Sequence, residues 1–266
     1  MYPMLDRFRS TLLAHGPSAA NDPRLLIEDS GDLAMYYAPF DYIERRARVV
    51  LVGITPGASQ AATALQVLAS ALGKGVSDED AMRQAKSTAS FSGPLRANLV
   101  AMLDAIGLHR RLGVASCSEV FSEGGAGVHF TSALRYPVFR NGQNYSGTPS
   151  IAGSPFLGSI TDRWLREEAA ALPDAMWIPL GKEPTVALGR LVEKGLLKDN
   201  QVLEGLPHPS GANAERIAYF LGTKDRATLS TKTNPTRIDA ARSQLLEKLT
   251  DRNGTRLLTE ANVPLP

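Results

Sequence analysis

Two loops in this chain carry residue types that are suited to chemistry. The first, residues 53–57 (GITPG), follows an apolar run and combines glycines with the hydroxyl of Thr55. A strand that stops at a glycine and turns into a helix presents backbone N–H groups, which can bind an anion, a phosphate or a polarised water. A tight turn without a ligand has the same sequence pattern, so this loop alone leaves both interpretations open.

The second loop, residues 207–211 (PHPSG), contains a histidine between two prolines. Proline fixes its own φ angle and restricts the residue before it, so the backbone at His208 has little freedom. A histidine held in this way is placed to donate a hydrogen bond to negative charge that develops during a reaction. Ser210 and Gly211 add a hydroxyl and a backbone that allows close approach. The alternative is a loop whose histidine bonds only a carbonyl of its own chain.

The apolar and helical patterns predict that both loops lie at one edge of a sheet. Strands are predicted at residues 48–54, 128–134, 175–180 and 201–206, and an aromatic-rich segment, 33–40, is expected to cover the site or the sheet edge. Helices are predicted at residues 4–13, 60–72, 94–106, 161–172, 184–194, 213–221 and 238–249. This alternation predicts an α/β fold, a three-layer α/β/α sandwich with a central, mainly parallel four-stranded sheet. Such folds bind ligands at the carboxyl ends of their strands.

The composition is that of an ordinary globular protein. Of 266 residues, 43% are hydrophobic and 21% are charged, and we expect one domain with extensions at residues 1–45 and 223–266. The net charge of +2 is too small to indicate nucleic-acid binding by itself. Because Cys117 is the single cysteine, an internal disulfide and a four-cysteine metal site are excluded. We expect no metal, no signal peptide and no membrane span, and a cytoplasmic monomer.

Five motifs in this order resemble those of the uracil-DNA glycosylase superfamily. Besides the two loops, they are residues 90–93 (SFSG), 129–137 (HFTSALRYP) and 177–182 (WIPLGK), and the resemblance spans roughly residues 48–221. It implies an enzyme without a cofactor that flips a nucleotide out of DNA and hydrolyses its glycosidic bond. The DNA is expected to be double-stranded with a flipped base, or single-stranded.

The resemblance also implies a role for each matching residue. His208 would stabilise negative charge on the departing base, and Thr55 stands where relatives handle the attacking water. Phe91 would stack on the flipped base, Ser132 would read its edge, and Ile54 would line its site. Contacts with the DNA backbone are expected from Gly53, Pro56, Gly57, Lys182, Ser210, Gly211 and Arg216.

Three positions depart from the family pattern, each toward a smaller side chain. Thr55 replaces an Asp or Asn, Ser132 replaces an asparagine, and Ala212 stands where relatives often carry a leucine wedge. We therefore expect an enlarged pocket and a bulky modified pyrimidine, such as a hydroxymethylated or sugar-bearing cytosine of phage DNA, with a role in defence. Three carboxylates are candidates for the missing acidic group: Asp41, Glu44 and Glu183.

Two further interpretations stay open. A DNA-binding relative without catalytic activity would also carry these motifs, and so would an unrelated α/β hydrolase or nucleotide-binding enzyme. Arg135, Arg140 and Lys182 follow strand ends and are expected at the rim of the site. Tyr136 and Tyr145 flank a loop that is expected to contact DNA or gate the substrate. A loose basic stretch that could lie along phosphates consists of Lys224, Arg226, Lys232 and Arg237.

Overall fold

The computed structural model describes residues 2–15, 20–90, 94–121 and 127–250. Its strands are β1 (Leu26–Ser30), β2 (Leu33–Tyr36), β3 (Val49–Gly53), β4 (Val128–Ser132), β5 (Val138–Arg140), β6 (Gln143–Asn144) and β7 (Met176–Pro179). Its helices are α1 (Pro3–His15), α2 (Ala58–Gly73), α3 (Asp78–Ala89), α4 (Pro94–Ala105), α5 (Leu108–Leu112), α6 (Pro155–Ala171), α7 (Lys182–Glu193), α8 (Ala214–Phe220) and α9 (Pro235–Thr250). The fold is therefore mixed α/β, as predicted.

A parallel sheet in the order β4-β3-β7 lies at the centre of the molecule. Its middle strand, β3, is buried along its whole length, as expected of an apolar run covered on both faces. Val50 and Val52 pack into one hydrophobic core and Val49 and Leu51 into another. Helices α2, α3, α6 and α7 contribute to the first core, and α4, α5, α8 and α9 contribute to the second.

The predicted fourth strand, residues 201–206, forms only one parallel bridge, between Val202 and Trp177. The backbone N–H of Leu203 donates to the Trp177 carbonyl at 2.8 Å, which continues the sheet for one further residue. Gly205 then adopts a φ of +119°, and Pro207 follows, so the extended pairing ends there. The central sheet has three strands, and the predicted four-stranded sheet is not confirmed.

A separate antiparallel sheet, in the order β1-β2-β5-β6, was not predicted from the sequence. Residues 33–36, predicted as part of an aromatic cover, form its strand β2. Strands β5 and β6 are joined by Asn141 and Gly142, both with positive φ angles, which is the conformation of a two-residue hairpin turn. This hairpin brings Asn144 to the N-terminus of α2.

Most predicted helices are confirmed, with shifted ends. Helix α6 begins at Pro155, with Ser154 as its N-cap, rather than at residue 161. In α9, Leu245 and Leu249 are buried in the second core, so part of the predicted C-terminal extension belongs to the folded domain. Within the described residues, no helix has both the length and the apolar character needed to cross a membrane.

Candidate active site

A large open cavity of about 1330 Å³ lies at the carboxyl ends of β3, β4 and β7. It brings together most of the predicted site residues: Gly53, Ile54, Thr55, Pro56, Gly57, Ser132, Lys182, His208, Ser210 and Arg216. Gly211 does not line the cavity, although its neighbours Ser210 and Ala212 do. Phe91 lies outside the described residues. The sequence therefore predicted the place where the motifs meet.

The side chain of His208 is half-buried in the wall of this cavity, and its own loop and its burial determine which ring nitrogen carries a proton. The backbone N–H of Ser210 donates to Nδ1 of His208 at 3.3 Å. Burial lowers the pKa of His208 below its ordinary value. A neutral imidazole that accepts at Nδ1 carries its proton on Nε2. His208 is thus a neutral hydrogen-bond donor at pH 7, with no described residue accepting from Nε2.

Neighbouring elements hold the His208 loop in place from several sides. Asn98 of α4 donates from its side-chain nitrogen to the Pro209 carbonyl at 2.9 Å. Gly181, with a φ of +102°, lies against the His208 ring, and a β-carbon built on it would be 3.4 Å from His208 Cβ. On the other side, a β-carbon on Gly205 would be 2.6 Å from that of Ala241 in α9. Gly205 therefore allows a close approach that a side chain would prevent, and Gly181 allows a left-handed backbone that other residues rarely adopt.

The hydroxyl of Thr55 is already used within the protein. It donates to the Tyr136 carbonyl at 3.0 Å and accepts from the Val138 backbone N–H at 3.0 Å. These bonds connect the end of β3 to the antiparallel sheet. A hydroxyl has one proton to donate, so Thr55 retains only the capacity to accept one further hydrogen bond. Its role at the attacking water stays a prediction.

Two backbone N–H groups at the N-terminus of α2 are engaged, which corrects in part the prediction that these groups are free. Gly57 donates to the side-chain oxygen of Gln60 at 3.0 Å, and Ala58 donates to Oδ1 of Asn144 at 2.9 Å. Asn144 lines the cavity and was missed by the sequence analysis. The Asn-Gly pair at residues 141–142 was the available signal, because this dipeptide favours a tight hairpin between two extended segments.

Three residues that were predicted to face DNA or the rim are engaged elsewhere. Arg135 lines the cavity but is only 3% exposed, because it is ion-paired with Glu168 and Glu167 at 2.8 Å each. Arg140 pairs with Asp32 and does not line the cavity. Tyr136 is fully buried, so it cannot contact DNA. Lys182, by contrast, is exposed at the start of α7 and faces the cavity, as predicted.

Tyr145 lines the cavity but is 4% exposed, and its hydroxyl donates to the Pro149 carbonyl. Its side chain therefore forms part of the wall. A role in gating would require this hydrogen bond to break.

The three candidate carboxylates are all engaged in local contacts. Asp41 bonds the hydroxyl of Tyr136, and burial raises its pKa to about 6, but it does not line the cavity. Glu44 accepts from the Tyr42 hydroxyl and from the Arg46 backbone, also outside the cavity. Glu183 lines the cavity, yet its side chain is buried and accepts from the Ile151 N–H at 2.8 Å. Among the described residues, no cluster of His, Cys, Asp and Glu is arranged to hold a metal ion.

The fold and the cavity define a mixed α/β protein whose candidate site lies at the strand ends of a parallel sheet. The uncharacterized protein YoxB of Bacillus subtilis (strain 168) is 37% identical to this chain over 208 residues, which cover 77% of this chain and 81% of YoxB. The chain belongs to the same protein family as YoxB. No protein-family model and no solved structure matches it. The resemblance to uracil-DNA glycosylases stays a prediction.

Proposed function

We propose that this protein is a monofunctional DNA glycosylase that removes a modified pyrimidine and leaves an abasic site. The observation that carries the proposal is the state of His208: a neutral imidazole, fixed by the Ser210 N–H, with its Nε2 proton available in a large cavity. A fixed donor of this kind is suited to an oxygen atom on which negative charge develops.

The chemistry requires one bond to break and one to form. The bond between the sugar C1′ and the base nitrogen breaks, and its electron pair leaves with the base. The Nε2–H of His208 donates to the base oxygen, where this charge accumulates. A water molecule then forms the new bond to C1′ and gives its proton to solvent or to the departing base. Because His208 acts as a neutral hydrogen-bond donor, the step does not require an imidazolium.

The size of the cavity supports a bulky substrate. Its volume of about 1330 Å³ exceeds the range of about 300–1,000 Å³ that is usual for small-molecule sites. Thr55, Ser132 and Ala212 all line it with short side chains. We therefore propose a hydroxymethylated or sugar-bearing cytosine as the target, with Phe91 stacking on the flipped base and a role in defence against phage.

In this proposal the DNA backbone is contacted by residues of the two loops, from Gly53 to Gly57 and from Ser210 to Arg216, and by Lys182. The proposal also assumes the three-layer fold of the glycosylases, in which residues 201–206 occupy the position of a fourth strand. The single bridge between Val202 and Trp177 supports that position. The proposal further places the protein in the cytoplasm as a monomer. The single cysteine, Cys117, is a buried free thiol, which is compatible with a reducing compartment.

A DNA-binding protein without catalytic activity is the second candidate, and one observation favours it. The carboxylates among the described cavity residues are Glu183 and Glu204. Glu183 accepts from a backbone N–H, and the proton of the Thr55 hydroxyl is already donated. No described group at the first loop is thus free to act as a general base for water.

Release of a base from a panel of DNA substrates tests the proposal. The panel contains uracil, thymine mismatches, hydroxymethylcytosine and glucosylated phage DNA, and abasic sites are scored by alkaline cleavage. We expect cleavage of the bulky substrates, lost in His208→Ala. Efficient excision of uracil without activity on larger bases would contradict the substrate class. DNA binding without abasic sites on any substrate would favour the second candidate.

A further inference from the structure

The cavity lining includes four exposed basic residues: Lys182, Arg216, Lys232 and Arg237. All four are exposed, and among the described residues none of them forms an ion pair within 4.0 Å. Lys232 and Arg237 come from residues 223–250, which lie beyond the motifs of the sequence analysis. We call these four side chains the cationic wall.

The basic stretch that the sequence analysis treated as one unit divides into two pairs. Lys224 forms an ion pair with Glu215 at 3.1 Å, and Arg226 forms one with Asp239 at 3.2 Å. Neither of these cations lines the cavity. Lys232 and Arg237 do line it and have no described acidic partner. The structure therefore neutralises one pair locally and directs the other toward the cavity.

Hydrogen bonds hold the backbone that carries Lys232. Arg216 donates to the Lys232 carbonyl at 3.1 Å, so two members of the wall are linked directly. Glu215 accepts from the Ser230 hydroxyl at 2.6 Å, from the Thr233 hydroxyl at 2.5 Å and from the Ser230 backbone N–H at 3.1 Å. These bonds lower the pKa of Glu215 to about 2, so it stays ionised at neutral pH. Lys232 is thus presented by an ordered segment.

Helix α9 places Arg237 beside the His208 loop. Arg237, Ala241 and Gln244 all line the cavity, at a spacing that puts them on one face of the helix. Leu245 and Leu249 of this helix are buried in the second core. Ala241 packs against Gly205, three residues before His208. Arg237 therefore lies one helical turn before a residue that packs against the loop of the proposed catalytic histidine.

We propose that the cationic wall binds consecutive phosphates of the nucleic-acid strand whose target base enters the cavity. The inference rests on the proposed function and extends it to a segment outside the family motifs. The four cations are exposed and come from helices α7, α8 and α9 and from one loop, and they do not form one convergent pocket. This distribution suits a line of phosphates better than a single small anion. The acidic residues that line the described cavity are Glu183, which is buried, and Glu204, so basic residues outnumber them.

The test compares two double variants that remove the same charge from the same segment. Lys232→Gln with Arg237→Gln removes two members of the wall, and Lys224→Gln with Arg226→Gln is the matched control. Affinity for a short DNA duplex is measured between low and moderate salt. Each lost phosphate contact lowers the slope of log K against log salt by about 1. We expect a reduction of about 2 for the wall variant, equal across unrelated sequences, and almost none for the control.

Two results would overturn the inference. One is an unchanged salt slope in the wall variant. The other is an equal reduction of the salt slope in both variants, which would indicate a long-range effect of net charge without specific phosphate contacts. Neither Lys232 nor Arg237 makes a described side-chain hydrogen bond or ion pair, so the wall variant is expected to unfold at the wild-type temperature. The control variant loses two partly exposed ion pairs, of Lys224 and Arg226, and is expected to unfold at a slightly lower temperature, because exposed ion pairs contribute little to stability. Should the double variant fail to fold, each single variant is expected to lower the slope by about 1.

Base release by the same preparations separates this inference from the proposed function. Excision by wild type with an unchanged slope in the wall variant refutes the wall alone. A reduced slope in the wall variant without any excision by wild type supports the wall and refutes the glycosylase. Absence of DNA binding by wild type contradicts both.

Discussion

Gly181 and the side chain of His208 are neighbours in the wall of the cavity. A β-carbon at position 181 would be 3.4 Å from His208 Cβ and 3.6 Å from its Cδ2, and Gly181 has a φ of +102°. The turn before α7 thus forms one side of the slot in which the histidine ring sits. This proximity places the WIPLGK segment, residues 177–182, beside the His208 loop, although the two are distant in the chain.

Gly181→Ala should lower stability. The new methyl group would only come into van der Waals contact with His208, but a backbone with a φ of +102° would be strained by about 1–3 kcal/mol when it carries a β-carbon. We expect a matching loss in the free energy of unfolding, measured in urea, and a fall in base release. Gly189→Ala is the control, because its β-carbon would meet nothing within 4 Å in the middle of α7. It should stabilise the protein by about 0.5–1 kcal/mol. Equal changes in the free energy of unfolding for the two variants would contradict the strain that we expect at position 181.

The hydrogen bond from the Ser210 N–H to His208 should fix the tautomer of the ring. Ser210 has a φ of −69°, which proline also adopts, so Ser210→Pro removes the N–H with little backbone change. We expect the Nε2–H tautomer to lose its preference in ¹⁵N NMR spectra. Ser210→Ala keeps the N–H and should leave the tautomer unchanged. An unaltered tautomer in Ser210→Pro would show that another group orients the ring.

The pKa of His208 should make both stability and activity depend on pH in a defined direction. Burial lowers this pKa below the ordinary value of 6.5. Between the two pKa values the unfolded chain binds a proton that the folded chain does not. The His208 contribution therefore destabilises the fold as pH falls below 6.5, while the neutral donor persists. We expect a pH titration by NMR to place the pKa of His208 below 6.5, and base release at pH 6.5 to retain more than half of its maximal rate. A pKa above 6.5 would contradict the neutral state.

Glu168 and Glu167 provide a matched pair for the buried ion pair with Arg135. Glu168 is 0% exposed, and although burial raises its pKa, Arg135 and Lys86 hold that pKa well below its usual range. Glu168→Gln leaves Arg135 without its buried partner and should cost about 3–5 kcal/mol. Glu167→Gln, whose side chain is 57% exposed, should cost less than about 1 kcal/mol. Similar midpoints in urea for the two variants would contradict this account.

The sequence predicted the meeting point of the two loops because apolar runs and helix stops are local signals. Residues 49–53 are an apolar strand sequence, and parallel pairing aligns Gly53 with Ser132 at the edge where the cavity opens. The contacts that complete the cavity are not local. Asn144 reaches α2 through a hairpin, and Thr55 bonds the backbone near β5, so their partners lie more than 80 residues away in the chain.

Charge patterns were the least informative part of the sequence. Arg135 follows a strand and resembles a rim residue, yet Glu168 and Glu167 of α6 bury it. Lys224 and Lys232 belong to one basic stretch, but among the described ion pairs only Lys224 pairs with Glu215. Which cations stay unpaired depends on packing of α8 and α9, which no local pattern encodes. The proposed phosphate contacts of residues 232 and 237 follow from that packing.

Paired measurements on wild type and His208→Ala test the central claim most directly. On one glucosylated DNA substrate, the rate of base release under single-turnover conditions and the dissociation constant are determined for both proteins. Removing one donor to a developing anion costs about 10²–10³ in rate. We predict a loss of that size with nearly unchanged affinity. Equal rates in the two proteins, or no base release by wild type despite binding, would contradict a catalytic role for His208.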